Sequence, residues 1–516
     1  MKNRILYILL AVGVLSGSFA CDDQLDIVDP NRLSSAQFYA NTDQAVAAVD
    51  AIYSTLITDA WYQRMSPVYN DGRGDEVASR SPWVFYTGIS SFTIPPTIGD
   101  LDIFWHGHYI LISRANQALE NVPNVEELDS DLRDRLLGQA YFLRALAYFK
   151  LTNTHEKVPI VLSTPQGGDD FYPTNEDVTR EDVYAQVKDD LRNAISRLPL
   201  NYDNVSGPDA GQEGRVTLGA ANSLLGMVYL YEGNYDEALP YFRTVIESGE
   251  YSLADNYADL FTQDPGIEAA NPGKIFWADF TTSAAAEFNW GGDPNVNWRQ
   301  FLALSPTYSV GDFFDFFPTA FLYEEMRQER TVDGNLDPRY HATILSYEPD
   351  EGYTTAFGQD WFERGFTEDA YFIKKYTTAA DGSDAFTSGF DYHVIRYADV
   401  LLMYAECLAN TGNVSEAAGY VQQVRDRANL PDREGEFAAY SLEAFMEQLK
   451  HERVMELAIE GKRWEDIRRW GMLSNELSVL QSHDAEFDTY TPDRIVLPIP
   501  QPELDRNQNL VGNSAN

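Results

Sequence analysis

The chain has only two cysteines in 516 residues, Cys21 and Cys407. That excludes a disulfide framework: at most one bridge can form, and acylation of Cys21 would forbid it. Basic residues are scarce too. Lys and Arg number 38 against 80 Asp and Glu, for a formal net charge of −42 and a pI near 4.3. Binding nucleic acid by counterion release needs clustered cations, so a general DNA or RNA role is disfavoured. Long apolar runs are missing. The run from Ile5 to Leu15 has 11 residues, and no later stretch reaches the roughly 18 that a membrane-spanning helix needs. Catalytic signatures are also missing: the mature chain has no G-x-S-x-G, and H-E-x-x-H and a phosphate loop occur nowhere. His106 and His108 stand two apart, on different faces of a helix, with no third ligand, which is not a metal-site pattern. Glycoside hydrolysis needs two positioned carboxylates, but with 80 acids some pair can always be nominated, so the observation discriminates nothing. Asp381, Asp384 and Asp391 could offer oxygens to calcium or form an ordinary acidic loop. No cofactor is expected.

What is present is a core-forming composition, with 44% hydrophobic and 13% aromatic residues. A disordered acidic chain could not supply that much apolar surface. Lys2 and Arg4, the apolar run and the small residues leading to Cys21 have the order of a bacterial export signal, expected to span residues 1–20. Its removal takes two positive charges and shifts the balance from −42 to −44. Cys21 sits where a lipoprotein is cut and acylated, and is read as the lipid attachment site. Ser18 and Ala20 also satisfy the small-x-small rule, which would leave a soluble secreted product instead. Residues 21–34 are polar and turn-rich and read as a tether. Cys407 lies in an apolar helical run, as a buried small hydrophobe does.

Helical spacing begins with Phe38, Ala45, Val49, Ile52 and Leu56, and continues through Ile110, Ala115, Ala118 and Leu119 and then from Leu136 to Leu151. Ala220 to Ile246 fits the tetratricopeptide template of two helices around a tight turn. Leu225, Gly226 and Tyr229 supply L-G-x-x-Y, and Ala238 and Phe242 supply A-x-x-x-F. The turn Gly233-Asn234-Tyr235-Asp236-Glu237-Ala238 is echoed by Gly412-Asn413-Val414-Ser415-Glu416-Ala417, 179 residues further on. Such repeats have a period of about 34 residues, so the array is interrupted by a large insertion. From about residue 251 to 393, Gly, Pro, Asn, Trp and Phe become dense and helical periods fade. Lys274 to Phe280 alternates as a strand, with Ile275, Trp277 and Asp279 on one face. Residues 442–460 return to helix, with a stripe of Leu442, Met446, Leu449 and Leu457 and Gly461 as its cap. Leu497 to Leu504 is too rich in Pro for a helix and is expected to lie as an extended strap. The fold class is mainly α, with tetratricopeptide-like pairs at about 35–250 and 394–430. A single domain from 35 to 516 would also hold the strand-bearing insertion and a C-terminal part, 431–516.

Several blocks together resemble one family. They are Ile395 to Glu406, Glu452-Arg453, Glu456-Leu457-Ala458, Glu460 to Asp466 and Leu497 to Leu504, with Asp337-Pro338-Arg339, Lys374-Lys375-Tyr376 and the start Cys21 to Ile27 as smaller matches. In this order they resemble the signature of SusD/RagB outer-membrane lipoproteins. The resemblance implies a helical fold with an irregular ligand-binding side and a lipid anchor in the outer membrane, facing outward. It implies a SusC-like, TonB-dependent barrel transporter as partner. The charged signature residues, among them Arg396, Asp399, Glu406, Arg463 and Asp466, read as structural ion pairs and helix caps rather than a ligand site. Trp464 and Trp470 read as core.

A neutral glycan calls for flat aromatic faces against the C–H side of its rings and polar groups for its hydroxyls. Trp61, Trp83, Trp290, Trp298 and Trp361 lie outside the clear helical patterns, with Tyr62, Phe85 and Tyr86 beside two of them. Trp290 and Trp298 bracket a turn that could present Asp293 and Asn295 with both rings, and this pair is favoured. Tyr86, Arg73 and Asp75 complete the candidate set. The expected function is non-catalytic capture of an oligo- or polysaccharide for delivery to the transporter. Peptide capture on the same scaffold, a secreted glycosidase and a pure assembly scaffold are the alternatives.

Overall fold

A computed structural model of the chain describes residues 38–280, 307–310, 313–377 and 388–516. Cys21, Trp290, Asp293, Asn295, Trp298, Asp381 and Asp384 lie outside them. The principal helices of the first half are α1 (Thr42–Leu56), α2 (Val84–Ser90), α3 (Gly99–Asn121), α4 (Ser130–His155), α5 (Arg180–Ile195), α6 (Leu218–Tyr231) and α7 (Tyr235–Glu247). Those of the second half are α8 (Tyr397–Asn410), α9 (Val414–Arg427), α10 (Leu442–Leu457) and α11 (Gln501–Arg506). Short strands fill the stretch between, β1 (Val77–Ser79) excepted: β2 (Lys274–Ala278), β3 (Phe316–Pro318), β4 (Ile344–Ser346), β5 (Tyr371–Ile373) and β6 (Tyr392–Arg396). They pair antiparallel as β1 with β3, β2 with β6, and β4 with β5. The chain is mainly α, as the periodicity indicates.

The helices stack as one row: α1 on α3, α3 on α4, α4 on α5, α5 on α6, α6 on α7, then α7 on α8 and α8 on α9, with α10 across the last pair. The packing of α7 on α8 joins elements far apart in sequence, so the repeat is continuous in space. The tetratricopeptide landmarks do what their chemistry requires. A Cβ on Gly226 would stand 2.7 Å from the Phe242 ring, and only glycine lets α6 and α7 approach that closely. Leu225, Ala238 and Phe242 are fully buried in the seam. Both turns close alike. Gly233 (φ +74°) and Gly412 (φ +90°) take the left-handed conformation. The N–H of Asn234 donates to Tyr229 O at 2.9 Å and that of Asn413 to Leu408 O at 2.8 Å, the six-to-one bond of a Schellman ending.

Charged residues of α10 point into the core. Arg396 donates to Glu460 (2.7 Å) and Glu456 (2.9 Å), and Arg339 pairs with Asp337 (2.7 Å), Glu452 and Glu456. Lys375 reaches Glu460 at 3.0 Å, and Arg425 and Arg427 close the cluster on Glu452 and Glu456. Burial alone would raise the Glu456 carboxyl, but Arg427, Arg396 and Arg339 outweigh it and hold it at about 2. A second set joins Arg453 to Asp466 (2.7 Å) and Asp399 (2.9 Å), and Arg469 to Glu406. These signature charges are structural. Cys407 is buried and free, its thiol pushed up by that burial.

Three local expectations hold only in part or fail. Leu442 is 43% exposed and Met446 half-buried, while Leu449 and Leu457 are buried as expected, with Phe445, Glu452 and Glu456 completing the inward face of α10. The ion cluster, not leucines alone, sets that face. Gly461 lies past the end of α10, which Ala458 caps. The C-terminal strap is extended only through Pro500, where Leu497 N–H donates to Thr154 O at 2.8 Å; α11 then begins with Pro502 in its first turn. A first-turn proline loses no helical hydrogen bond. Among the described residues no helix is long and apolar enough to cross a membrane.

Candidate functional site

Segment 80–83 is a short, stiff loop between β1 and α2. Pairing of β1 with β3 carries on into Arg80 N–H, which donates to Asp315 O at 2.7 Å. Ser81 N–H donates to Ser79 Oγ at 3.2 Å and Trp83 N–H to Ser81 Oγ at 3.1 Å. Trp83 then starts α2, its carbonyl taking the Thr87 N–H at 3.1 Å. The backbone is fixed while the indole faces outward, 43% exposed, with Val84 (60%) and Phe313 (46%) also exposed.

The indole is backed rather than buried. Tyr86 stacks on it at 5.7 Å between ring centroids and 13° between planes. The Arg64 guanidinium lies 5.8 Å from both ring centroids. Arg64 itself donates to Asp59 (2.7 Å) and to the Tyr86 hydroxyl (3.0 Å), and Asp100 stands 3.8 Å from it. Burial pulls Arg64 down, but Asp59 and Tyr86 overcome it and leave it well above the ordinary range. Burial pushes Asp100 and Asp315 up, with Arg64 opposing in both. The arrangement is an aromatic platform backed by Arg64, with the part-exposed carboxylate of Asp100 beside that guanidinium. A flat, apolar ligand face with hydroxyls at its edge satisfies both parts.

The other described candidates are corrected by burial, having no surface to offer a ligand. Trp61 is 0% exposed, stacked at 4.0 Å on His108, with Nε1 donating to Gly107 O at 3.1 Å. Trp361 is 0% exposed, packed with Leu345 and Ala356, and donates to Thr367 O at 2.8 Å. Tyr86 is enclosed behind Trp83. Arg73 lies 4.3 Å from the Trp464 ring centroid and donates to Arg494 O. Asp75 pairs with Arg463 at 2.6 Å and His483 at 2.7 Å. Arg64, Asp59, Asp100 and Asp315 carry no local motif, and only their meeting in space marks them.

His108 is buried, which drives its pKa down to about 3, while His106 is exposed. Among the described residues one grouping could ligate a metal, Asp102, His106 and Glu503. The Arg506 guanidinium already sits on both of its carboxylates.

Comparison with known proteins places this geometry in a wider set. The profile described as the SusD family matches residues 249–515, and one described as "Starch-binding associating with outer membrane" matches 30–230. A SusD-like protein of Formosa agariphila is 25% identical over 552 residues, covering 100% of this chain and 98% of its own. A second from that organism is 25% identical over 534 residues, covering 99% of each. A solved SusD superfamily structure from Bacteroides vulgatus superposes with a TM-score of 0.76 at 26% identity, over 93% of this chain and 98% of that one. A structure described as a laminarin-binding SusD-like protein gives 0.71 at 26% identity, over 92% and 99%.

Proposed function

The chain belongs to the SusD family, and from that premise we propose that it is a non-catalytic cell-surface lipoprotein that captures a glycan and delivers it to a TonB-dependent outer-membrane transporter. Trp83 carries the reading: it is the tryptophan most open to solvent among the described residues, 43% exposed, on a loop held by backbone hydrogen bonds to Asp315 O and Ser81 Oγ. A pyranose laid on the indole buries its C–H face, and its edge hydroxyls donate to a carboxylate such as Asp100, whose side chain is 28% exposed. The glycan binding named for the laminarin-binding relative supports the same reading. With a net charge of −42 the surface repels polyanions, so the cargo is a neutral glycan. In this reading Cys21 holds the protein at the outer membrane facing outward, and the 281–306 stretch with Trp290, Asp293, Asn295 and Trp298 adds further contacts. Ligand held between this face and the barrel mouth favours lid closure by its extra contacts in the closed state.

Affinity electrophoresis of the mature protein across a panel of neutral glycans, repeated with Trp83→Ala, Trp290→Ala and Trp298→Ala, tests the proposal. Retardation by at least one glycan, relieved by Trp83→Ala, is the expected result. Retardation by none, with binding of peptides, replaces it with peptide capture, and release of reducing ends would make the protein an enzyme. Loss of palmitate labelling in Cys21→Ala checks the anchor.

A further inference from the structure

A second, partly exposed tryptophan lies outside segment 80–83, with the Lys274 ammonium 4.8 Å from its ring centroid. Trp277, on β2, pairs in register with His393 of β6 and lines two clefts at once. The larger, about 490 Å³, is bounded by Asp50, Tyr53, Gln212, Arg215 and Asp279. The smaller, about 220 Å³, is bounded by Thr217, Glu250, Tyr251, Asn271 and Lys274. Register shifts on both sides of Phe276 break the regular alternation of β2, so the indole reaches this surface while Ile275 and Phe276 are both buried.

The chemistry around the ring selects the ligand. Both cations are already paired: Arg215 with Asp50 at 2.8 Å, and Lys274 with Glu268 at 2.5 Å and Asp391 at 2.8 Å. An anionic ligand would meet spent cations and surplus carboxylates. The Asp50 side chain is 51% exposed, and its oxygens can accept from hydroxyls. Asn271 spends its Oδ1 on the Gly273 N–H at 2.9 Å, while its buried Nδ2 has no protein partner. A buried amide donor without an acceptor costs roughly 1–3 kcal/mol, and a turn of the Asn271 side chain toward the smaller cleft that it lines would let a ligand oxygen recover it. The larger cleft is linked to the first platform along the chain. Ile57 lies on its rim, two residues before Asp59, which holds Arg64 beside Trp83 at 2.7 Å.

We propose that Trp277, with Asn271 and Asp50, forms a second contact for a neutral, hydroxyl-rich polymer, engaged when the saccharide chain is long enough to extend beyond Trp83. This rests on the glycan reading above and adds to it: the cargo is a chain, and affinity rises with its length. The test is titration calorimetry with starch and laminarin fragments of increasing length, on the whole mature protein. Trp277→Ala is expected to leave short fragments unaffected and to weaken long ones by about three- to tenfold. Asn271→Asp keeps the oxygen that Gly273 uses but removes the donor, so it also weakens long fragments only, and it decides the matter if Trp277→Ala fails to fold. Long fragments binding equally to wild type and to a folded variant overturn the second contact while leaving the first platform intact. Wild type binding no saccharide at all overturns the glycan reading and this inference with it.

Discussion

Replacing Trp83 with alanine tests the platform most directly, because its effect can be sized from its exposure. An indole covers up to about 250 Å², so 43% exposure leaves roughly 100 Å² open to a ligand. At about 25 cal/mol per Å², covering all of it is worth about 2.5 kcal/mol, and covering one face about half that. Trp83→Ala is thus expected to raise Kd by roughly 10- to 70-fold, and Trp83→Phe by less because a ring remains. The fold should tolerate the change, since the loop is held by its backbone bonds to Asp315 O and Ser81 Oγ. The stability lost is the stack on Tyr86 and the Arg64 contact at 5.8 Å, about 1 kcal/mol. Titration calorimetry against a glycan that retards wild type reads the affinity, and circular dichroism melting reads the fold. A Kd within twofold of wild type in a variant with unchanged melting would refute the platform.

Three further outcomes follow from the packing. Arg396→Met leaves Glu456 to Arg339 and Arg427 and Glu460 to Lys375 alone, and removing one partner of a buried ion pair costs about 3–5 kcal/mol; a loss under about 1 kcal/mol in urea unfolding would show the remaining cations to compensate. Gly226→Ala forces a Cβ to 2.7 Å from Phe242 and should cost about 1–3 kcal/mol, more than the helix propensity it gains, read as a lower Tm. Burial raises Glu76 to about 8 from its ordinary 4.5, against the pull of Arg463 and a hydrogen bond from Ile459 N–H. Folding therefore favours its proton: that stability is complete below about 4.5 and is lost as pH rises through 8. Glu76→Gln keeps an acceptor for Ile459 and should match wild type at pH 5 but exceed it at pH 8, by at most about 4 kcal/mol. An unchanged slope of Tm with pH between those values would count against it.

The helical body was legible because its residues obey a period. Ala45, Val49, Ile52 and Leu56 are buried on one face of α1, and Gly226 with Phe242 needs nothing beyond the repeat to be understood. The site was not legible in the same way, because a tryptophan in an irregular segment is hidden or open according to residues far away in sequence. Trp61 is closed by His108, and Arg73 is sandwiched beneath Trp464. Trp83, with the same local surroundings of aromatic and turn residues, stays 43% exposed with Tyr86 stacked on it and Arg64 beside it. No local pattern separates these cases.

The charged residues of the most recognisable blocks, meanwhile, are buried in ion pairs, and their placement ties those blocks to the platform. Segment 71–79, which leads to Trp83, is tied down by Asp71 to Gly461 N–H (2.7 Å), Asp75 to Arg463 (2.6 Å) and Glu76 to Ile459 N–H (3.1 Å). Glu460, inside that same stretch, grips Arg396 at 2.7 Å. Arg396 ends β6, and β6 carries β2 and Trp277. An unbroken series of directional contacts therefore runs from one open tryptophan to the other through the buried charges. Apolar residues of equal volume could fill that core with no loss of stability, but they would not penalise a shifted docking of β2 and β6 against segment 71–79. A buried guanidinium does, because each misplaced carboxylate is left unpaired.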